Sequence, residues 1–260
     1  MSRVLILCAL PLFVGCEDVG DKIDAYTNPT VVEGLVLGVE EPTFEDFDFD
    51  LADTDFNKGA AAVVFLASAT DVDEIESAPI EGAAVSLLSD TSGKLSMKDQ
   101  GDGKYAVTGD DGLTYTAGES MDLSALIDGA TAKATVTAPA AADADISQDH
   151  TTGSGLSVDL TGQAFDSVLV VVLDASSGDV TFSNQPDTVK EIYEFTHGGA
   201  DSLAVDVPGT AFPSDSVYAV GVAGLKTAGE DDFTDANALL SAYMAGKMRF
   251  YPVSTLALPD

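Results

Sequence analysis

Apolar residues in this chain fall into short runs and alternations of period two, broken at roughly 8 to 12-residue intervals by Gly, Asp, Asn or Pro, the rhythm of a sandwich of strands. Phe47, Phe49 and Leu51 alternate with Asp46, Asp48 and Asp50, which predicts a strand with aromatics on one face and carboxylates on the other. Residues 60–66 read as a buried strand. Val85 with Leu87, Tyr105 with Val107, Met121 with Leu123, and then residues 132–136 continue the series. Gly101-Asp102-Gly103 sits between two of these strands, where glycine permits the positive φ of a hairpin turn, and Gly109-Asp110-Asp111-Gly112 repeats the device one strand later. Aspartates so placed are expected to cap turns before they bind anything.

Residues 139–155, rich in Ala, Asp, Ser and Gly, interrupt the rhythm. Beyond them, residues 156–160, 168–173, 180–182, 192–195, 203–207, 217–222 and 248–253 are seven further strand candidates, the complement of an immunoglobulin-like sandwich. One segment differs: residues 235–245 carry Leu239, Leu240, Tyr243 and Met244 at helical spacing, with Thr234 or Asp235 as N-cap and Gly246 as terminator. The expected fold is therefore all-β, two β-sandwich domains, the second of immunoglobulin-like type, with one short C-terminal helix. The expected division of the body is 29–139 first sandwich, 140–155 linker and 156–260 second sandwich.

The first sixteen residues change the picture from fold to address. Arg3 precedes an apolar run, residues 4–14, which is too short to span a bilayer as a helix but has the length of a signal-peptide apolar region. It ends in Leu12-Phe13-Val14-Gly15-Cys16. That ending resembles the lipobox of bacterial lipoproteins, with Phe13 where the family usually has leucine. The resemblance implies a signal peptide over 1–15 cleaved before Cys16, a diacylglyceryl group on its sulfur, a lipidated tether over 16–28, and membrane attachment through that anchor. The chain has 2 cysteines, Cys8 and Cys16, so removal of the leader leaves Cys16 as the one thiol and rules out an intramolecular disulfide. Each buried methylene contributes about 0.8 kcal/mol, and two chains suffice for stable attachment. Cell-envelope localisation, at the outer membrane or surface of a Gram-negative bacterium, follows as an expectation.

Eleven basic against 44 acidic residues give a formal charge of -33. The acids are spread along the whole body. A field of that sign repels phosphate backbones, which argues against nucleic-acid partners. Apolar residues make up 45% of the chain, enough to build a core and so to set aside acidic disorder.

Residues 79–137 resemble the carboxypeptidase-regulatory or transthyretin-like β-sandwich, on Pro79 through Leu87, on Gly101-Asp102-Gly103-Lys104-Tyr105, and on residues 113–123 with Tyr115 and Gly118. The likeness implies a non-catalytic accessory module and transfers no catalytic residue. Together with the lipobox it makes the whole chain similar to Gram-negative surface lipoproteins.

Residues able to carry chemistry are few. His150 and His197 are the only imidazoles and neither has a partner at ligand spacing; Gly153-Ser154-Gly155 lacks the spacing of a nucleophile elbow. Calcium is the one cofactor with a candidate site: Asp46, Asp48, Asp50, Asp53 and Asp55 offer hard oxygen ligands within ten residues. On a straight strand, alternating carboxylates lie about 7 Å apart, too far to share an ion, so solvated edge charges are the plainer reading. The expected function is an envelope-anchored, non-catalytic structural or binding module with an unidentified protein or glycan ligand. The alternatives are a calcium-dependent adhesin or carbohydrate-binding module, and a carboxylate-based hydrolase.

Overall fold

A computed structural model describes residues 28–40, 58–71, 74–75, 78–186, 191–192, 195–196 and 203–256. The described chain is all-β and sandwich-like. Its strands are β1 (Thr30–Val39), β2 (Ala60–Ser68), β3 (Ala84–Ser89), β4 (Gly93–Ser96), β5 (Lys98–Gly101), β6 (Lys104–Thr108), β7 (Ser120–Ile127), β8 (Ala130–Thr137), β9 (Leu156–Asp159), β10 (Ser167–Asp174), β11 (Val180–Ser183), β12 (Ala204–Val207), β13 (Val217–Thr227), β14 (Phe233–Thr234) and β15 (Ala242–Ser254).

One eight-stranded sheet, in the order β11-β10-β13-β15-β1-β2-β6-β5, takes strands from both sides of residues 140–155. A five-stranded sheet, β14-β8-β7-β3-β4, and a two-stranded sheet, β12-β9, cover the same face of it at its two ends. Alternation along the strands makes this arrangement possible. On β15, Tyr243 and Ala245 enter the core beneath the five-stranded sheet, Val253 enters the core beneath β12-β9, and the intervening even positions Met244, Met248 and Phe250 pack on the opposite face. A core thus lies beneath each covering sheet, and both cores rest on one shared sheet.

Strand β10 shows why the apolar runs could be read. Residues Val168, Val170 and Val172 enter the second core, while Leu169, Val171 and Leu173 pack on the other face. A strand covered on both sides reads as a continuous apolar run, and each such side chain buried contributes about 1.5–3 kcal/mol. The turns between strands follow their residues: Asp102-Gly103 and Asp128-Gly129 each place two successive positive φ values in a hairpin, the geometry that two-residue loops require. Asp111 accepts from the Thr108 amide at 3.2 Å and pairs with Lys98, so it is a turn cap as expected.

Two tyrosines fasten loops to the cores. Tyr218, at the start of β13, donates its hydroxyl to the Ser214 carbonyl at 3.0 Å, four residues upstream, and so fastens the turn that leads into β13. Tyr105, wholly buried on β6, donates to the Ile80 carbonyl at 2.9 Å and accepts from the Ala83 amide at 3.0 Å.

Two sequence expectations need correction. The predicted C-terminal helix over 235–245 is absent: residues 237–241 form a turn closed by the Ser241 amide on the Asn237 carbonyl, and from Ala242 the chain is strand β15. Its apolar residues meet helical spacing because a central strand is apolar on both faces, which a period of 3.6 also samples. Gly246, expected to end the helix, lies mid-strand, where the Leu225 side chain fills the space a Cβ would take. The predicted strand at 192–195 is also replaced, since Glu191, Ile192, Phe195 and Thr196 are helical. Ile192 and Phe195 pack on the outer face of the large sheet, against the cluster of Leu169, Ala219 and Met248.

Residues 140–155 run along the sheet. Ala142 and Ala144 are buried in the second core, and the Ser254 amide donates to the Gln148 carbonyl while its carbonyl accepts from the His150 amide.

Candidate functional site

The site residues expected from the sequence fall outside the part of the chain that the structure describes. Cys16 and the acids Asp46, Asp48, Asp50, Asp53 and Asp55 lie outside the described residues, as does His197. His150 is placed: its ring Nε2 donates to the Ser154 carbonyl at 2.9 Å and its ring meets Phe212 edge-on at 4.6 Å between centroids. It is a structural histidine that ties residues 150–154 to the second core. Ser154 belongs to that same turn, its amide donating to the Thr151 carbonyl. Among the described residues no three His, Cys, Asp or Glu side chains gather as a metal site, and no helix is long and apolar enough to cross a membrane.

The described structure places three basic residues, two of them ion-paired, along one seam. Between the two cores, the shared face of the large sheet carries Lys247 and Arg249 on β15 and Lys226 on β13, three of the 11 basic residues in the chain. Positions i and i+2 of a strand share a face, so Lys247 and Arg249 rise on the same side as Tyr243 and Tyr251. Arg249 donates from Nε to Glu40 at 3.1 Å and lies 3.8 Å from Asp143, and the Glu40 carboxylate raises the affinity of the guanidinium for its proton. Lys226 pairs with Asp166 at 3.2 Å, which also accepts from the Thr227 amide. Lys247 makes no ion pair among the described residues.

The neighbours of Lys247 are glycines, Gly38 on β1 and Gly224 on β13. Each accommodates an aromatic ring. Tyr115 occupies the space above Gly38, and a Cβ on Gly224 would lie 2.5 Å from the Phe165 ring. Lys247 therefore leaves the sheet at a position flanked by two rings, all three side chains being half-buried. No protein-family model matches this chain, and no curated protein matches it in sequence. The seam stands on its geometry alone.

A strap of backbone crosses this region. Tyr115 donates to the Pro139 carbonyl at 2.9 Å; Tyr251 donates to the Ala142 carbonyl at 3.2 Å and accepts from the Ala144 amide at 3.0 Å; Gln163 donates to the Asp143 carbonyl at 2.6 Å. Burial pushes the Tyr115 hydroxyl well above the usual tyrosine value, so it stays a neutral donor. Lys247 thus stands in the sheet beside two glycines whose faces are covered by the Tyr115 and Phe165 rings. The sequence carried one faint sign of the seam: Lys247 and Arg249 at strand spacing in a chain with almost no other paired cations.

Proposed function

We propose that this chain is an envelope-anchored lipoprotein whose β body acts as a non-catalytic structural or binding module. The carrying observation is Cys16, placed at the junction of an apolar leader and an acidic body, with no other cysteine after it. Cys16 would be diacylated and become the mature N-terminus, and residues 17–28 would be the tether between lipid and fold. A body whose described residues form two cores on one continuous sheet supports a scaffold role. Mass spectrometry of the mature protein tests the reading: a diacylglyceryl-modified Cys16 at the N-terminus is expected, and Cys16→Ala should move the protein from the membrane to the soluble fraction. An unmodified Cys16, or cleavage elsewhere, overturns it.

The position of Lys247 between Tyr115 and Phe165 favours a second reading within the same class, a carbohydrate-binding module using the seam. Titration with soluble glycans should then show binding that Lys247→Ala and Phe165→Ala both weaken. Binding indifferent to both substitutions removes the seam from the account.

A further inference from the structure

The first and last strands of the described chain are neighbours, and they run parallel. β1 pairs with β15 from Glu33 opposite Ala242 to Val39 opposite Met248. A pull on the N-terminal end of β1 and a pull on the C-terminal end of β15 therefore point in opposite directions along two adjacent parallel strands. Such a load slides the strands past each other, so the bridging hydrogen bonds are stretched together. A load that separates two strands from one end breaks the same bonds one after another. Both strands are interior as well. β1 is also laddered to β2 from Thr30 opposite Ser68 to Gly38 opposite Ala60, and β15 to β13 from Val217 opposite Ser254 to Thr227 opposite Met244.

Both ends of the pair are fastened by bonds beyond the ladders. At the N-terminal end, the Val32 amide donates to the hydroxyl of Ser241, a buried residue, at 3.0 Å; the Thr30 carbonyl accepts from the Asn237 amide and the Pro29 carbonyl from the Ala69 amide, each at 2.7 Å. At the C-terminal end, the hydroxyl of buried Thr255 donates to the Ser214 carbonyl at 2.8 Å and accepts from the Ser216 amide at 2.9 Å. The Ser254 amide donates to the Gln148 carbonyl at 2.6 Å.

We propose that the β1–β15 pair is a mechanical clamp: the body resists force applied between its N- and C-terminal ends by loading this parallel pair in shear. The inference deepens the anchored-module reading, because a chain held by lipid at its N-terminus takes load through β1, yet the clamp does not require modification of Cys16. A partner gripping the body on the β15 side, as the seam around Lys247 would allow, would draw on the same pair.

Single-molecule force spectroscopy tests it, on the chain from residue 17 to 260 and in two attachment geometries. In one, handles are fixed at the two ends. In the other, they are fixed at residue 17 and at Thr70→Cys, an exposed site beside the start of β1, so that β1 and β2 peel apart from one end. Should Thr70→Cys impair folding, Asp71→Cys, also exposed, provides the same geometry. The end-to-end geometry should rupture at not less than double the force of the peeling geometry, at equal loading rate, and should release about 80 nm of chain in one event. Equal rupture forces overturn the clamp, as does a stepwise release in which β13 and β15 come away before the main event. Neither result bears on the lipid at Cys16, which the mass of the mature N-terminus decides separately.

Discussion

Two buried tyrosines in the first core provide a paired test of what holds it together. Tyr105 and Tyr243 are both wholly buried and enter the same core. Their hydroxyls differ: Tyr105 bridges the Ile80 carbonyl and the Ala83 amide, whereas the Tyr243 hydroxyl meets no hydrogen-bond partner among the described residues. Replacing tyrosine by phenylalanine removes one oxygen and leaves the ring. At position 105 this strands two backbone groups. Ile80 and Ala83 are only half-buried and water can reach them in part, so the cost falls toward the lower part of the 1–3 kcal/mol range, about 1.5 kcal/mol. At position 243 it removes a desolvated hydroxyl that gains nothing in return, so Tyr243→Phe should be neutral or more stable by up to about 1 kcal/mol. Urea unfolding with a shared m-value reads both numbers from the midpoints. In thermal melts Tyr105→Phe should lose about 3–6 °C. If Tyr243→Phe proves as destabilising as Tyr105→Phe, hydrogen-bond satisfaction is not what distinguishes the two sites and the reasoning fails.

Two further outcomes follow from the same packing. Tyr105, Tyr115 and Tyr243 all hold their protons more tightly in the fold than the ordinary value of 10.0, chiefly through burial, with Asp99 and Glu81 adding to Tyr105 and Asp122 to Tyr243. Because the folded chain keeps protons that the unfolded chain releases, their contribution is constant below pH 10 and lost as pH rises beyond it; urea midpoints followed from about pH 8 to about pH 11.5 should be level and then fall, and a flat profile refutes the assignment. Gly224→Ala would drive a methyl into the Phe165 ring and should cost about 1–3 kcal/mol, whereas Gly229→Ala, whose nearest neighbour would be Asp232 at 3.4 Å, should stay within about 0.5 kcal/mol of the parent by differential scanning calorimetry.

What was legible in the sequence was local. The run of Val168 to Leu173 announces a strand buried on both faces, and Asp-Gly pairs announce their turns, because those signals live in adjacent residues. The same logic misled at Tyr243 and Met244, where a strand covered on both sides imitates a helix, and at Ile192 and Phe195, whose spacing suits either form. The short strands β4 and β5 leave no hydrophobic signal at Lys94, Ser96, Lys98 and Asp99, which face water. Nothing local could show that β1 finds its partner in β15. The seam is invisible for a similar reason: Lys247, Gly38, Gly224, Tyr115 and Phe165 become neighbours only once the sheet exists. Cys16 and the five aspartates from Asp46 to Asp55, by contrast, were read from sequence and lie outside the described residues, so their roles rest on chemistry and on the tests above.

The place of β1 between β2 and β15 also sets an order of events for folding. Val32 and Ser241 touch across 209 positions of chain, and the central ladder of the large sheet joins the first described strand to the last. β1 finds its β2 partner nearby in the chain, whereas its partner on the other side, β15, lies far along it. Contacts of such sequence separation close slowly. The shared sheet is therefore completed only when the last strand inserts between β13 and β1, and a chain truncated before Ala242 would lack the strand that joins its two halves.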